Sequence, residues 1–126
     1  MSPADLADIL GPVLPVTVED DGALTVTFDG TVASLRTVPI AEGLVIISLT
    51  QALAWDLPCT PEFRERVADQ ANRTMFGTVT LTDQSGGQAT VMLRYNFPAA
   101  VEAPALRILV PLVLAGGAEV ARSLNG

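Results

Sequence analysis

Cys59 is the residue whose type and position most suggest chemistry. It is the only cysteine and directly precedes Thr60-Pro61-Glu62, which carries the signals of a helix start. A helix N-terminus lowers the pKa of a nearby thiol and can make it reactive. However, the chain has no histidine and no second cysteine, so it lacks a Cys-His pair and an intrachain disulfide. We interpret Cys59 as a loop cysteine and keep a redox-sensitive thiol as the alternative.

Asp56 and Arg94 are the remaining candidates for a catalytic or ligand-binding pocket. Asp56 follows Trp55 in a segment that Pro58 interrupts, where a buried carboxyl could act as a general acid. It has no charged partner nearby in the sequence, so a turn-capping aspartate is the favoured interpretation. A small enzyme or small-ligand-binding domain that uses Asp56 or Arg94 remains the alternative function.

Three other motifs predict turns and helix ends rather than sites. The adjacent acids of Glu19-Asp20-Asp21-Gly22 cannot supply the alternating ligands of a calcium loop. Ser85-Gly86-Gly87 and Ala115-Gly116-Gly117 lack the spacing and the lysine of a phosphate-binding loop. Asn72 is expected to satisfy local backbone groups at a helix end. We therefore predict no catalytic residue, no cofactor and no metal.

Composition limits the class of protein and its partners. The 126 residues are 49% hydrophobic and 17% charged, which predicts one folded domain over residues 1–126. All seven basic residues are arginines, and fourteen acids bring the net charge to −7. Nucleic acids and anionic membranes both attract basic surfaces, so we expect neither as a partner.

The sequence pattern also favours a cytoplasmic protein. Acids occupy the N-terminal segment where a signal peptide would carry basic residues. The most hydrophobic stretch, Ile108 to Ala115, is far shorter than the roughly 20 residues that cross a bilayer. A free Cys59 is consistent with a reducing compartment.

A short helix is predicted over Pro3 to Leu10. In the rest of the first half of the chain, apolar and polar residues alternate, which is typical of strands. Asp29-Gly30 is the strongest hairpin signal, because type I′ turns need positive φ at both central residues. The nearly continuous apolar run from Leu44 to Leu53 predicts a long central strand. The segment 55–58 interrupts this pattern, so we expect the strand to end there.

The second half predicts a helix, a hairpin and a final helix. Phe63, Val67, Ala71 and Met75 form one apolar stripe. The hairpin pairs Thr78 to Thr82 with Gln88 to Tyr95 around 83–87. The last helix starts near Val101, is expected to kink at Pro111 and to break at Gly116-Gly117. The predicted fold is one α+β domain with helices on one face of a twisted antiparallel sheet. Its order is helix, three or four strands, helix, two strands, helix, in shortest form α-β-β-β-α-β-β-α.

This order and one junction resemble the YbjN-like family, proposed bacterial sensory transduction regulators. The junction runs from Phe63-Arg64-Glu65-Arg66-Val67 through Asn72-Arg73-Thr74 to Phe76-Gly77-Thr78-Val79-Thr80-Leu81. The resemblance covers residues 2 to 124 and implies a fold like that of type III secretion chaperones. Such chaperones are small, acidic and usually dimeric, and they bind other polypeptides.

Together these observations predict a non-catalytic, chaperone-like or regulatory protein-binding domain whose client the sequence does not identify. The last helix is apolar nearly all round, and a single sheet covers only one side of it. We therefore expect a homodimer, with Leu106, Leu109, Leu112 and Val113 as candidate dimer or partner contacts. The alternative is that the loops at 39–43 and 55–59, with Trp55, cover this helix within one chain.

Overall fold

Local sequence signals determine where most helices and strands begin and end. The computed structural model describes residues 1–84 and 86–126. Its elements are α1 (Pro3–Leu10), β1 (Val16–Val18), β2 (Leu24–Phe28), β3 (Thr31–Ala41), β4 (Leu44–Pro58), α2 (Pro61–Arg73), β5 (Thr78–Gln84), β6 (Gln88–Pro98) and α3 (Ala103–Asn125). The α+β class is confirmed. Four strands precede α2, one more than in the shortest predicted order.

All six strands form one antiparallel sheet in the order β1-β2-β3-β4-β6-β5. The hairpin at Asp29-Gly30 is confirmed, with φ of 46° and 80° at the two turn residues. In the predicted turn at 83–87, Gly86 and Gly87 also have positive φ, whereas Ser85 lies outside the described residues. Helix α2 carries the chain to the far edge, so that β6 returns between β4 and β5.

The three helices cover the same face of this sheet, as predicted. Alternate residues of the strands, such as Leu35, Leu49 and Leu93, are fully buried in one cluster with the inner sides of the helices. Two arginines connect helix to helix through backbone carbonyls. Arg107 Nε donates to the oxygen of Ile9 (2.9 Å), and an Arg66 amino group donates to that of Leu124 (2.8 Å).

The predicted end of the long strand at 55–58 is wrong. Strand β4 continues to Pro58, and its pairing with β6 shifts register on both sides of Ala54. Asp56 lies in this irregular stretch with a φ of +56°. The breaking residues therefore produce a bulge in a long strand rather than its end.

The predicted break of the last helix at Gly116-Gly117 is wrong. Helix α3 runs without interruption through Pro111 and both glycines for 23 residues. Gly117 packs on the side chain of Gln51, and a Cβ at this glycine would lie 1.8 Å from Gln51 Oε1. By length and composition this helix would suffice to cross a bilayer, although only eight residues were expected to be strongly apolar. Its inner side instead lies in the core, with Leu106, Val110 and Leu114 fully buried.

The Gln51 side chain is a buried polar group that the sequence analysis did not single out. It is 0% exposed, and its Nε2 donates to Thr31 Oγ1 (2.8 Å) and to the Leu114 carbonyl (3.1 Å). The Oε1 atom has no hydrogen-bond partner among the described residues. The sequence signal that could have indicated this buried group is a polar residue within the apolar run of β4.

Candidate functional site

A groove separates the C-terminal end of α2 from the outer side of α3. Its volume is about 770 Å³. We call it the α2–α3 groove. Its apolar lining includes Met75, Phe76, Leu112 and Val120. The polar residues Gln70, Arg73, Glu119 and Ser123 line the same groove. The groove is thus lined by apolar side chains together with charges of both signs.

The end of α2 explains why Met75 lies in the groove rather than in the core. The predicted stripe is confirmed at Phe63 and Val67, which are buried, but the helix ends at Arg73. Met75 therefore falls beyond the helix and is 84% exposed. Thr74 ends the helix, and its hydroxyl donates to the carbonyl of Gln70 (2.8 Å).

Gly77 holds the junction between α2 and β5 close to the sheet. Its φ is +88°, and a Cβ here would lie 2.8 Å from the carbonyl oxygen of Arg94. Only glycine meets both conditions without strain. On the sheet side of the junction, the Phe76 ring packs edge-on against Tyr95 with 6.2 Å between centroids. The backbone path that exposes Met75 is therefore fixed by its neighbours.

The predicted contact residues of α3 divide between the two sides of the helix. Leu106 and Val113 belong to the core, and Leu109 is partly buried against it. Leu112 is 51% exposed and lines the α2–α3 groove. Ile108, one turn earlier, is 64% exposed. The outer surface of the helix is thus narrower than the sequence suggested and is centred on Ile108 and Leu112.

A second cavity, of about 460 Å³, lies between the β2–β3 turn, β4 and the last turns of α3. We call it the sheet-end cavity. Its lining includes Asp29, Trp55 and Arg122, and Arg122 NH1 donates to the Asp29 carboxylate. Asn125 Nδ2 donates to the carbonyls of Leu53 (2.9 Å) and Ala121 (2.8 Å). A third cavity, of about 330 Å³, adjoins the N-terminus.

The structure does not bring the residues of the alternative function together. Asp56 is exposed on the β4 bulge, and Arg94 is exposed on the uncovered face of the sheet, opposite Thr50. Neither lines any of the three cavities. Cys59 is half-buried, and its backbone N–H donates to the Gly87 carbonyl (2.8 Å).

The acidic turn at 19–22 is an element of the fold. The Asp21 carboxylate accepts hydrogen bonds from Arg36 (2.7 Å) and from the backbone N–H of Ala23 (3.0 Å). Chiefly the Arg36 hydrogen bond holds the pKa of Asp21 below its usual range. A bond from the Ser2 backbone N–H likewise lowers the pKa of Asp5, in the capping box of α1. Within residues 1–84 and 86–126, no three or more His, Cys, Asp or Glu side chains are grouped for a metal ion.

Comparison with known proteins identifies the fold. No protein-family profile matches the sequence, and no curated protein matches it. Among solved structures, the crystal structure of YbjN from E. coli, a proposed transcription regulator, matches with a TM-score of 0.66 and 12% identity. The match covers 97% of this chain and 87% of that one. The chain therefore has a YbjN-like fold, which confirms the resemblance at the level of the fold.

Proposed function

We propose that this YbjN-like chain is a non-catalytic, chaperone-like or regulatory protein-binding domain. Its α2–α3 groove receives an apolar segment of another polypeptide. One observation carries this proposal: two large apolar side chains that line the same groove are exposed to solvent. Met75 is 84% exposed and Leu112 is 51% exposed. Exposed apolar side chains that line the same groove are typical of sites of interaction.

The chemistry of the groove suits a helix or an extended segment with apolar anchors. Fully burying one large aliphatic or methionine side chain contributes about 1.5–3 kcal/mol before the costs of association. Met75, Leu112 and the neighbouring Ile108 together provide several such contacts. Arg73 and Glu119 beside them can orient a partner through charge. This is the helix-in-groove mode of recognition.

The charge of the chain favours a protein partner over a nucleic acid. YbjN is described as a proposed transcription regulator. In this chain fourteen acids face seven arginines, and phosphate contacts require basic surface. A regulatory role would therefore act through another protein. The enzyme alternative has less support because Asp56 and Arg94 lie apart from the cavities.

A second copy of the chain is a further partner that we propose for the outer side of α3, and it competes with the other polypeptide because both cover Leu112. Ile108 lies one turn before Leu112, and Gly116 lies one turn after it. In an antiparallel pair of α3 helices with a two-fold axis at Leu112, Ile108 of one copy would face Gly116 of the other. Apart from the adjacent residues and the backbone of the helix itself, no atom of the described residues lies within 4 Å of the position of a Gly116 Cβ. The large side chain of one copy therefore has space on the other.

Leu112→Asp tests the role of the groove, because a charge in the apolar interface should abolish binding. The tagged wild-type chain should capture specific proteins from its native lysate and sediment as a dimer at micromolar concentration. The L112D chain should capture none of these proteins and sediment as a folded monomer of about half the mass. Loss of capture without a change in the melting temperature would locate the contact at the groove.

Ile40→Asp is the matched control. Ile40 is 60% exposed at the end of β3 and does not line the groove. I40D should retain both the captured proteins and the dimer. The proposed site would be contradicted if I40D and L112D lost the captured proteins equally, or if L112D captured them as well as the wild type does. A wild-type chain that sediments at 13.2 kDa would contradict the dimer.

A further inference from the structure

The sheet-end cavity has the size of a small-molecule site. Its volume of about 460 Å³ falls in the range of ligand pockets. The cavity exists because small residues line it where the β2–β3 turn meets α3, namely Gly30, Ala118 and Ala121. Trp55, the only tryptophan of the chain, lines it and is 59% exposed.

Apart from Arg122, the charged and aromatic groups around this cavity favour a positive charge. Asp29 contributes a carboxylate. The last turns of α3 lie here, and the C-terminal end of a helix carries partial negative charge. An indole ring attracts a cation through its π system. The net charge of −7 also raises the local concentration of cations.

Arg122 shows where a cationic group would bind. It is the only positively charged residue among the described residues that line the cavity, and its guanidinium is bonded to Asp29. The two side chains are 58% and 59% exposed. Exposed ion pairs of this kind contribute little to stability, so a ligand can replace Arg122 at small cost.

We propose that the sheet-end cavity binds a small organic cation, an amine or guanidinium on an apolar body. The cationic group takes the place of Arg122 on Asp29, and the apolar body lies against Trp55 and the small residues of α3. Of the described residues that line this cavity, only Arg122 also lines the α2–α3 groove, and Leu112 does not line the cavity. L112D should bind the cation as well as the wild type does.

A titration with 2-phenylethylammonium, followed by Trp55 fluorescence, tests the proposal. The fluorescence change should saturate in the millimolar range or below. The anion 3-phenylpropionate, of similar size, should bind at least tenfold more weakly. Asp29→Asn should weaken binding of the ammonium tenfold or more, because it removes the carboxylate. Asparagine tolerates the φ of +46° at this turn, so the backbone is preserved.

The two members of the ion pair should have opposite effects. Arg122→Gln should tighten binding of the ammonium severalfold, since it removes the internal competitor for Asp29. The Arg64–Asp83 pair is the matched control, with a 2.7 Å contact and side chains 51% and 50% exposed. R64Q and D83N should leave the affinity unchanged. The proposal is overturned if the ammonium shows no saturable binding, if 3-phenylpropionate binds better, or if R122Q weakens binding of the ammonium.

Discussion

Two adjacent glycines of α3 have different roles. Gly117 approaches the buried amide of Gln51, whereas a Cβ at Gly116 would meet no described atom within 4 Å beyond the adjacent residues and the helix backbone. The Gln51 amide is held by Thr31 and by the Leu114 carbonyl, so it cannot move aside without losing both hydrogen bonds. Within one chain, one glycine is therefore required for packing, and the other carries only the conformational cost of glycine in a helix.

Gly117→Ala should lower the free energy of unfolding by about 1–3 kcal/mol, because the added methyl group overlaps the buried Gln51 amide. Gly116→Ala should raise it by about 0.5–1 kcal/mol, because alanine favours the helix. Urea unfolding of both variants measures the difference. Changes of the same sign in the two variants would show that Gln51 does not set the packing of α3.

At the scale of single elements, the stability of the N-terminal end of α2 depends on one side chain, that of Thr60. Thr60 Oγ1 accepts a hydrogen bond from the backbone N–H of Phe63 (3.1 Å). Thr60→Ala should lower the free energy of unfolding by about 1 kcal/mol through loss of this cap. Thr60→Ser keeps the hydroxyl and should have little effect. Chemical denaturation followed by circular dichroism checks both variants, and an equal loss in T60S would point to the methyl group instead.

Local chemistry explains which elements the sequence predicted correctly. Asp29-Gly30 and Thr60-Pro61 act through turn conformation and helix capping, which depend on a few neighbouring residues. The glycines at 116 and 117 carry the same local signal as a helix end. Only Gln51, remote in sequence, shows why α3 needs a glycine there. The same holds for the segment 55–58, where pairing with β6 continues the strand.

At the scale of the whole molecule, the sequence predicted surplus apolar surface on α3 but not its location. Periodicity cannot orient a helix that is apolar nearly all round, so Leu106 and Leu112 looked equivalent. Packing on the sheet buries the first and exposes the second. The sheet-end cavity was not predicted, because Asp29, Trp55 and Arg122 lie far apart in the sequence and converge only in the folded chain.

The strand order also has a consequence for the kinetics of folding. Strands β1 to β4 pair with their neighbours in sequence, and β5 pairs with β6 across a short turn. Among the strand pairings of the described residues, only the one at the boundary between β4 and β6 joins distant parts of the chain, for example Ile46 with Pro98. Closing such a long loop costs entropy before any contact forms, so we expect this boundary to form last.

Pulse-labelled hydrogen exchange during refolding can detect this order within a single strand. Alternate amides of an antiparallel strand bond to opposite neighbours. In β6, the amides that bond to β5 should gain protection before those that bond to β4. Simultaneous protection of both sets would instead indicate a single cooperative step. Until the boundary closes, β4 and β6 present long unpaired edges, so the interval before closure is when two refolding chains can exchange strands or aggregate.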